Sequence, residues 1–310
     1  MIYKTLILFM AANFAFATNY LDENLKKLNW NGVDVIWLED ESLPTYDVTV
    51  YFREGALGDD KIYSGETEMM FNQLSSGTDR FSQKEIIEAL EFYGADYSFR
   101  VTHEFSTFSL SGLVKDIVPT MKMVCHLFSD AKFPTRELKR TKSRIISALK
   151  SSVSNHSALA NMAFRYEALK GSGYETPAGG TIDTISKINS KRLSKRLEYF
   201  NKNALKRIYV KGPNDINQME SIIKNDCDWK KVANVREIPE VKKIRESNEV
   251  IFVPVPNANQ AQVLIGRIMT ASEVRSNELD YQSFAANFLG SGFTSKLFQS
   301  LRVQKGLTYS

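Results

Sequence analysis

Three histidines are the first residues to question for chemistry, and they stand far apart, at His103, His126 and His156. No two have the short helical spacing that turns a pair of imidazoles toward one metal ion, so each reads as a surface or core histidine. Cys125 falls in the apolar helical run Met121 to Leu127, and Cys227 in the polar segment Asn225-Asp-Cys-Asp228. Buried cysteine commonly serves as a small hydrophobe, so the two read as free thiols rather than as one bridge. Arg302 and Tyr309 are seven residues apart, and taken alone that pair reads as structural. Lys139-Arg-Thr-Lys-Ser-Arg144 is a basic run on a helical pattern. It reads as a solvated face, with docking of an acidic partner surface or peptide as its functional alternative.

These residues need a scaffold, and the composition says what kind. The 310 residues are 43% apolar and 25% charged, an ordinary globular mixture too long for one small core, so two domains are expected. Forty Lys plus Arg against 36 Asp plus Glu leave a net charge of +4, too small and too evenly spread for a dedicated nucleic-acid surface. Residues 1–17 have a basic start, an apolar stretch from Thr5 to Phe14, and the small-x-small pattern Ala15-Phe-Ala17. They read as a secretory signal peptide, too short to span a bilayer, with an uncleaved anchor as the alternative. The mature chain is therefore expected to be exported and soluble, periplasmic in a Gram-negative source.

The most informative internal feature is a long-period repeat. Asp34-Val-Ile-Trp-Leu38 and Val48-Thr-Val-Tyr-Phe52 read as strands, and Glu249-Val-Ile-Phe-Val253 and Val263-Leu-Ile-Gly-Arg267 repeat them at a constant offset of 215 residues. A helical pattern follows each copy, at Gly65 to Leu74 and at Asp280 to Leu289. Ser82-Gln-Lys-Glu85 is a capping box that opens a helix, with Gly94 as its stop. Tyr97 to Leu113 alternates like a strand pair with one wet face. Further helices are expected from Pro134 onward, from His156 to Leu169 and from Lys191 to Phe200, and a short strand at Arg207 to Val210. Two homologous α+β units result. The first covers 18–233, a connector covers 234–247, and the second, 248–310, is incomplete and ends in what reads as a strand.

In this order and spacing the chain resembles the pitrilysin or insulinase family of zinc metallopeptidases, especially the branch of the mitochondrial processing peptidase. The stretches that carry the resemblance are Asn31-Gly32, Gly65 to Thr78, Phe133-Pro134 and Gly179-Gly-Thr181 in the first unit. In the second they are Gln260-Ala-Gln-Val263, Leu289-Gly-Ser-Gly292, Ser295-Lys-Leu-Phe298, Leu301-Arg302 and Gly306-Leu-Thr-Tyr-Ser310. The resemblance implies the fold of the LuxS and processing-peptidase type: two similar units, each a mainly antiparallel sheet with helices packed on one face. Members of the family bind zinc through an inverted H-x-x-E-H helix, whose Glu activates the metal-bound water. Neither that motif nor H-E-x-x-H occurs in the chain. The alignment puts Glu68 on the first histidine, Phe71 on the general base and Asn72 on the second histidine, and the third ligand falls on Ala148. These four are degenerate metal-site positions, and no metal or cofactor is expected in this chain.

The resemblance also implies that Arg302 and Tyr309 correspond to the family's distant Arg and Tyr pair, which supports the scissile carbonyl as charge develops. A lost zinc half beside a retained Arg and Tyr half implies the non-catalytic subunit of a secreted heterodimeric zinc endopeptidase. Its partners would be a homologous zinc-bearing subunit and a peptide substrate, with no nucleic acid and no membrane after signal cleavage. An extended peptide would add to the edge strand that carries Ser98, Phe99 and Arg100. The rival expectations are a structural or assembly protein of inactive peptidase type, and an active peptidase with an unusual metal site.

Overall fold

A computed structural model describes residues 23–213, 216–232, 237–238 and 249–309. The leader at 1–17 and most of the connector at 234–247 lie outside the described residues. By contact the chain forms two units, 1–155 with 176–238 and 156–175 with 239–310.

The first unit opens with β1 (Leu25–Trp30) and β2 (Val33–Glu39). They are joined at Asn31-Gly32, where both φ angles are positive, the conformation a two-residue hairpin needs. β3 (Thr45–Phe52) leads through two short turns to α1 (Glu66–Gln73) and α2 (Gln83–Phe92). β4 (Asp96–Val101) and β5 (Ser106–Leu113) follow, then α3 (Ile117–Ser129) and the long α4 (Thr135–Val153). After α5 (His156–Leu169), which groups with the C-terminal residues, the first unit resumes with α6 (Ile182–Lys187), α7 (Ser190–Asn203), β6 (Lys206–Gly212) and α8 (Ile216–Asn225). The Ser82 capping box forms as expected: Glu85 N–H donates to Ser82 Oγ and the Glu85 carboxylate accepts from Ser82 N–H.

Six strands make one sheet in the order β1-β2-β6-β3-β5-β4, antiparallel throughout except for the parallel pair β2 and β6. β2 and β3 are thus not neighbours, because β6 inserts between them. Val35 pairs with Ile208, and Val210 with Val48. Alternate residues, Val33, Val35 and Trp37 on β2 and Tyr46, Val48, Val50 and Phe52 on β3, point into the core. There they meet Met121, Cys125 and Phe128 of α3, Leu193, Leu197 and Phe200 of α7, and Met219 and Ile223 of α8. The fold is α+β, a mainly antiparallel sheet with helices on one face.

Two expectations are corrected. Cys125 and Cys227 form a disulfide with their Cα atoms 4.4 Å apart, joining α3 to the segment after α8. The sequence showed two unlike local environments, while the fold brings both cysteines into the same core. The second correction concerns the strands expected after the connector. The second unit contains α5, α9 (Ala271–Arg275), α10 (Glu278–Gly290) and a π-helical turn at Phe298–Gln304, but 249–253 and 263–267 are not strands, nor is 307–309. Among the described residues no strand pairs with them, and an isolated strand pair is at best marginal in water.

Candidate functional site

α1 is the element on which the sequence places the lost metal site. Gly65, at φ +92°, caps it in the left-handed conformation, and a side chain there would meet Gly179 O at 2.5 Å. Gly180, at φ +79°, is as confined, because a side chain there would run into Ser64 O, to which Thr184 Oγ1 donates at 2.8 Å. The Gly179-Gly180 turn is thereby pressed against the start of α1, which is why these positions need glycine.

Glu68 is half-buried, and burial pushes its carboxyl above the ordinary range. Its Oε2 would lie 3.0 Å from a Cβ on Gly179, so the glycine leaves room for the carboxylate. One turn on, Asn72 Nδ2 donates to Glu68 O at 3.0 Å, a bond that spends the amide on its own helix. Phe71, close by on the same helix, is fully in the core. It is buried among Phe52, Phe99, Phe128 and Phe200, with ring centroids 5.4 to 6.1 Å away. Ala148, on α4, is exposed. Next to the site, Gln73 Nε2 donates to Thr141 Oγ1 of α4 at 2.8 Å, while its Oε1 is buried without a partner.

These residues do not fit a zinc ion. One carboxylate and one amide already bonded to its helix cannot supply a tetrahedral set, and the base position is a ring packed in hydrocarbon. Among the described residues no group of three or more His, Cys, Asp or Glu is placed to hold a metal. Two of the three histidines serve locally: His103 Nε2 bonds Thr176 O at 2.8 Å and His126 Nδ1 bonds Asp130 Oδ2 at 2.9 Å.

Sequence reasoning missed a buried charge network that holds the start of α1. The Arg196 guanidinium, on α7, donates to Glu54 Oε1, Thr67 Oγ1 and Gly55 O at 2.8, 2.8 and 3.2 Å. Arg192, one turn earlier, grips Glu66 with two nitrogens. Asp59 accepts from the N–H groups of Gly65 and Thr67, as an anion at a helix N-terminus should, and also from the Thr67 hydroxyl. Burial drives the Asp59 carboxyl up to about 7 against the opposing pull of Arg196. One signal was available: Arg196 lies three residues from Leu193 and four from Phe200, on the apolar face, where a cation needs carboxylates.

The remaining sequence-derived positions are placed as follows. β4 is an edge strand paired only with β5, with Ser98 and Arg100 exposed and Phe99 stacked on Phe71. In the second unit the Arg302 guanidinium lies 4.1 Å from the centre of the exposed Tyr309 ring and 4.8 Å from that of Phe298. Gly306, at φ +61°, ends the helical turn between them, its N–H donating to Arg302 O.

Residues 35–180 match the model of the insulinase family, peptidase family M16. A relative from Helicobacter pylori (strain ATCC 700392 / 26695), described as the non-peptidase homolog YmxG, is 23% identical over 286 residues, 92% of this chain and 65% of that protein. The chain thus spans somewhat less than two thirds of that relative. Among solved structures, an inactive peptidase M16 domain from Pseudomonas fluorescens superposes with a TM-score of 0.69 at 18% identity, over 93% of this chain and 69% of that one. The periplasmic protease PqqL from Escherichia coli superposes with a TM-score of 0.61 at 15% identity, over 72% of this chain and 26% of that one. The stretch that matches the insulinase family, peptidase family M16, residues 35–180, includes α1 with Glu68, Phe71 and Asn72 and α4 with Ala148.

Proposed function

We propose that the chain is the non-catalytic subunit of an exported, heterodimeric zinc endopeptidase. It holds an extended peptide along β4, at Ser98, Phe99 and Arg100, and supplies Arg302 and Tyr309 to the zinc site of a homologous partner. The observation that carries the reading is Phe71: the position of the general base is filled by a ring at the centre of an aromatic cluster. A base lost in that way leaves substrate binding and transition-state support as the family roles open to this chain. The edge position of β4 supports strand addition, since among the described residues no strand lies beside its outer edge. The Arg302 and Tyr309 contact supports a shared role for the two, a cation lying over the ring that carries a hydroxyl donor. Export is supported by the Cys125–Cys227 disulfide, which an oxidising compartment maintains. No helix among the described residues is long and apolar enough to cross a membrane.

The test is to assay peptide hydrolysis by the purified chain, by a homologue with an intact H-x-x-E-H, and by the mixture. Activity is expected in the mixture, abolished by a chelator and reduced by about two to three orders of magnitude in kcat when this chain carries Tyr309→Phe. Chelator-sensitive hydrolysis by the lone chain overturns the reading. A stable complex whose rate does not respond to Tyr309→Phe or Arg302→Ala assigns the chain an assembly role instead.

A further inference from the structure

α4 carries six Lys or Arg and a single carboxylate in nineteen residues. That net +5 exceeds the +4 of the whole chain, so everything else sums to about −1. The distribution around the helix is sharper still. Leu138 is buried, and Ile145 and Ile146 pack against the core, which fixes the inner side. At about 100° per residue, the opposite arc contains only Arg136, Lys139, Arg140, Arg144 and Lys150, interleaved with Ser143, Ser147 and Ser151. All eight are exposed.

Internal neutralisation is slight. Glu137 pairs with Arg140 at 2.8 Å. Lys142, off the arc, is occupied by the carbonyls of Ser186 and Ile188. Arg136, Lys139, Arg144 and Lys150 have no ion-pair partner among the described residues. Arg136, Arg140 and Arg144 follow one another at i, i+4 spacing, where like charges repel and weaken a helix. The fold carries that repulsion along a rod about 21 Å long with Glu137 as the one carboxylate on the helix to offset it.

We propose that this face of α4 docks an acidic polypeptide surface, a helix or ridge with carboxylates at matching spacing. Guanidinium forks take carboxylates in pairs, and the small serines between them let an opposing backbone approach and offer hydroxyl donors. The arc has no aliphatic or aromatic residue to enter lipid, since the apolar side of the helix is spent on the core. It has no aromatic ring to stack on bases either. The inference stands apart from the peptidase-subunit reading, because it does not depend on what the acidic partner catalyses.

The test uses the purified chain and a fluorescein-labelled 20-residue helical peptide with Glu at every fourth position, read by anisotropy. Binding is expected at low salt, weakening as salt rises. Arg140→Glu with Arg144→Glu should lower affinity at least about tenfold. Lys27→Glu with Lys84→Glu, the same charge change elsewhere on the first unit, should change it by less than about twofold. Circular dichroism of both variants checks that the fold is kept, and Arg140→Gln with Arg144→Gln repeats the test should reversal unfold the chain. Equal losses from the two pairs would mean that only net charge matters, and would overturn the proposal. So would no peptide binding, or an α4-dependent affinity for phosphatidylglycerol vesicles or heparin that exceeds that for the peptide.

Discussion

The same sequence pattern occurs twice in this chain and has two different fates. Val35, Trp37, Val48 and Val50 are each 1% exposed on β2 and β3. Their equivalents 215 residues later, Val250, Phe252, Val263 and Ile265, are 98, 84, 77 and 96% exposed in segments without strand structure. The residue types hardly differ, so side-chain preference cannot account for the contrast. What differs is company. β2 lies between β1 and β6, β3 between β6 and β5, and helices cover their inner face. Among the described residues, 249–267 has none of these. Strand preference is largely a measure of fit to a pleated, half-buried surface, and it specifies nothing where that surface is missing.

The contrast can be broken by matched substitutions. Val50→Asp puts an unpaired carboxylate into the core and should cost more than about 4 kcal/mol, enough to unfold the first unit. Ile265→Asp, at the equivalent position, should change stability by no more than about 0.5 kcal/mol. Urea melts of both variants decide the matter, and a comparable loss from Ile265→Asp would show that the second copy is packed. Phe71→Ala should cost about 3 to 5 kcal/mol in the same assay, because it opens a cavity where five rings meet. A cost below about 1 kcal/mol would mean that Phe71 is not part of the core.

Cys125→Ala with Cys227→Ala removes a crosslink between residues 102 apart in sequence and should lower stability by about 2 to 5 kcal/mol. Thiol titration of the native chain should find none free at either position. The last probe sits on β6, the strand that separates β2 from β3. Burial lowers the Lys206 ammonium to about 8, although it donates to the carbonyls of Asn201 and Ala204. Between pH 8 and about 10.4 the unfolded chain keeps a proton that the folded chain has lost, so stability rises with pH across that window. The gain is up to about 3 kcal/mol, and it is absent again below pH 8. Lys206→Met should flatten that rise, measured as the difference in urea midpoint between pH 7.5 and 10; an unchanged slope would assign it to other groups.

Local signals in the sequence were strong for the first unit. The capping box at Ser82, the alternation of β3 and β5, and the start of α4 after Pro134 follow from period and caps, which are properties of short segments. Glu68, Phe71, Asn72 and Ala148 stood out through the family resemblance alone, and their surroundings were not legible in the sequence. That Phe71 is the hub of an aromatic cluster, while Glu68 rests against Gly179, depends on residues drawn from most of the first unit. The Arg196 network was hidden for a similar reason, since Glu54, Asp59 and Thr67 precede Arg196 by well over a hundred residues.

Residue types and their spacing alone determined that the chain has no H-x-x-E-H, where its helices begin, and that one helix carries a one-sided set of cations. These are facts about neighbours along the chain, and no folding can alter them. Only the tertiary structure decided that the cysteines meet, that β6 slips between β2 and β3, and that one copy of a repeated pattern becomes sheet while the other does not. Each of those depends on which distant segments come together to remove apolar surface from water, a choice made by the whole core rather than by any stretch of sequence.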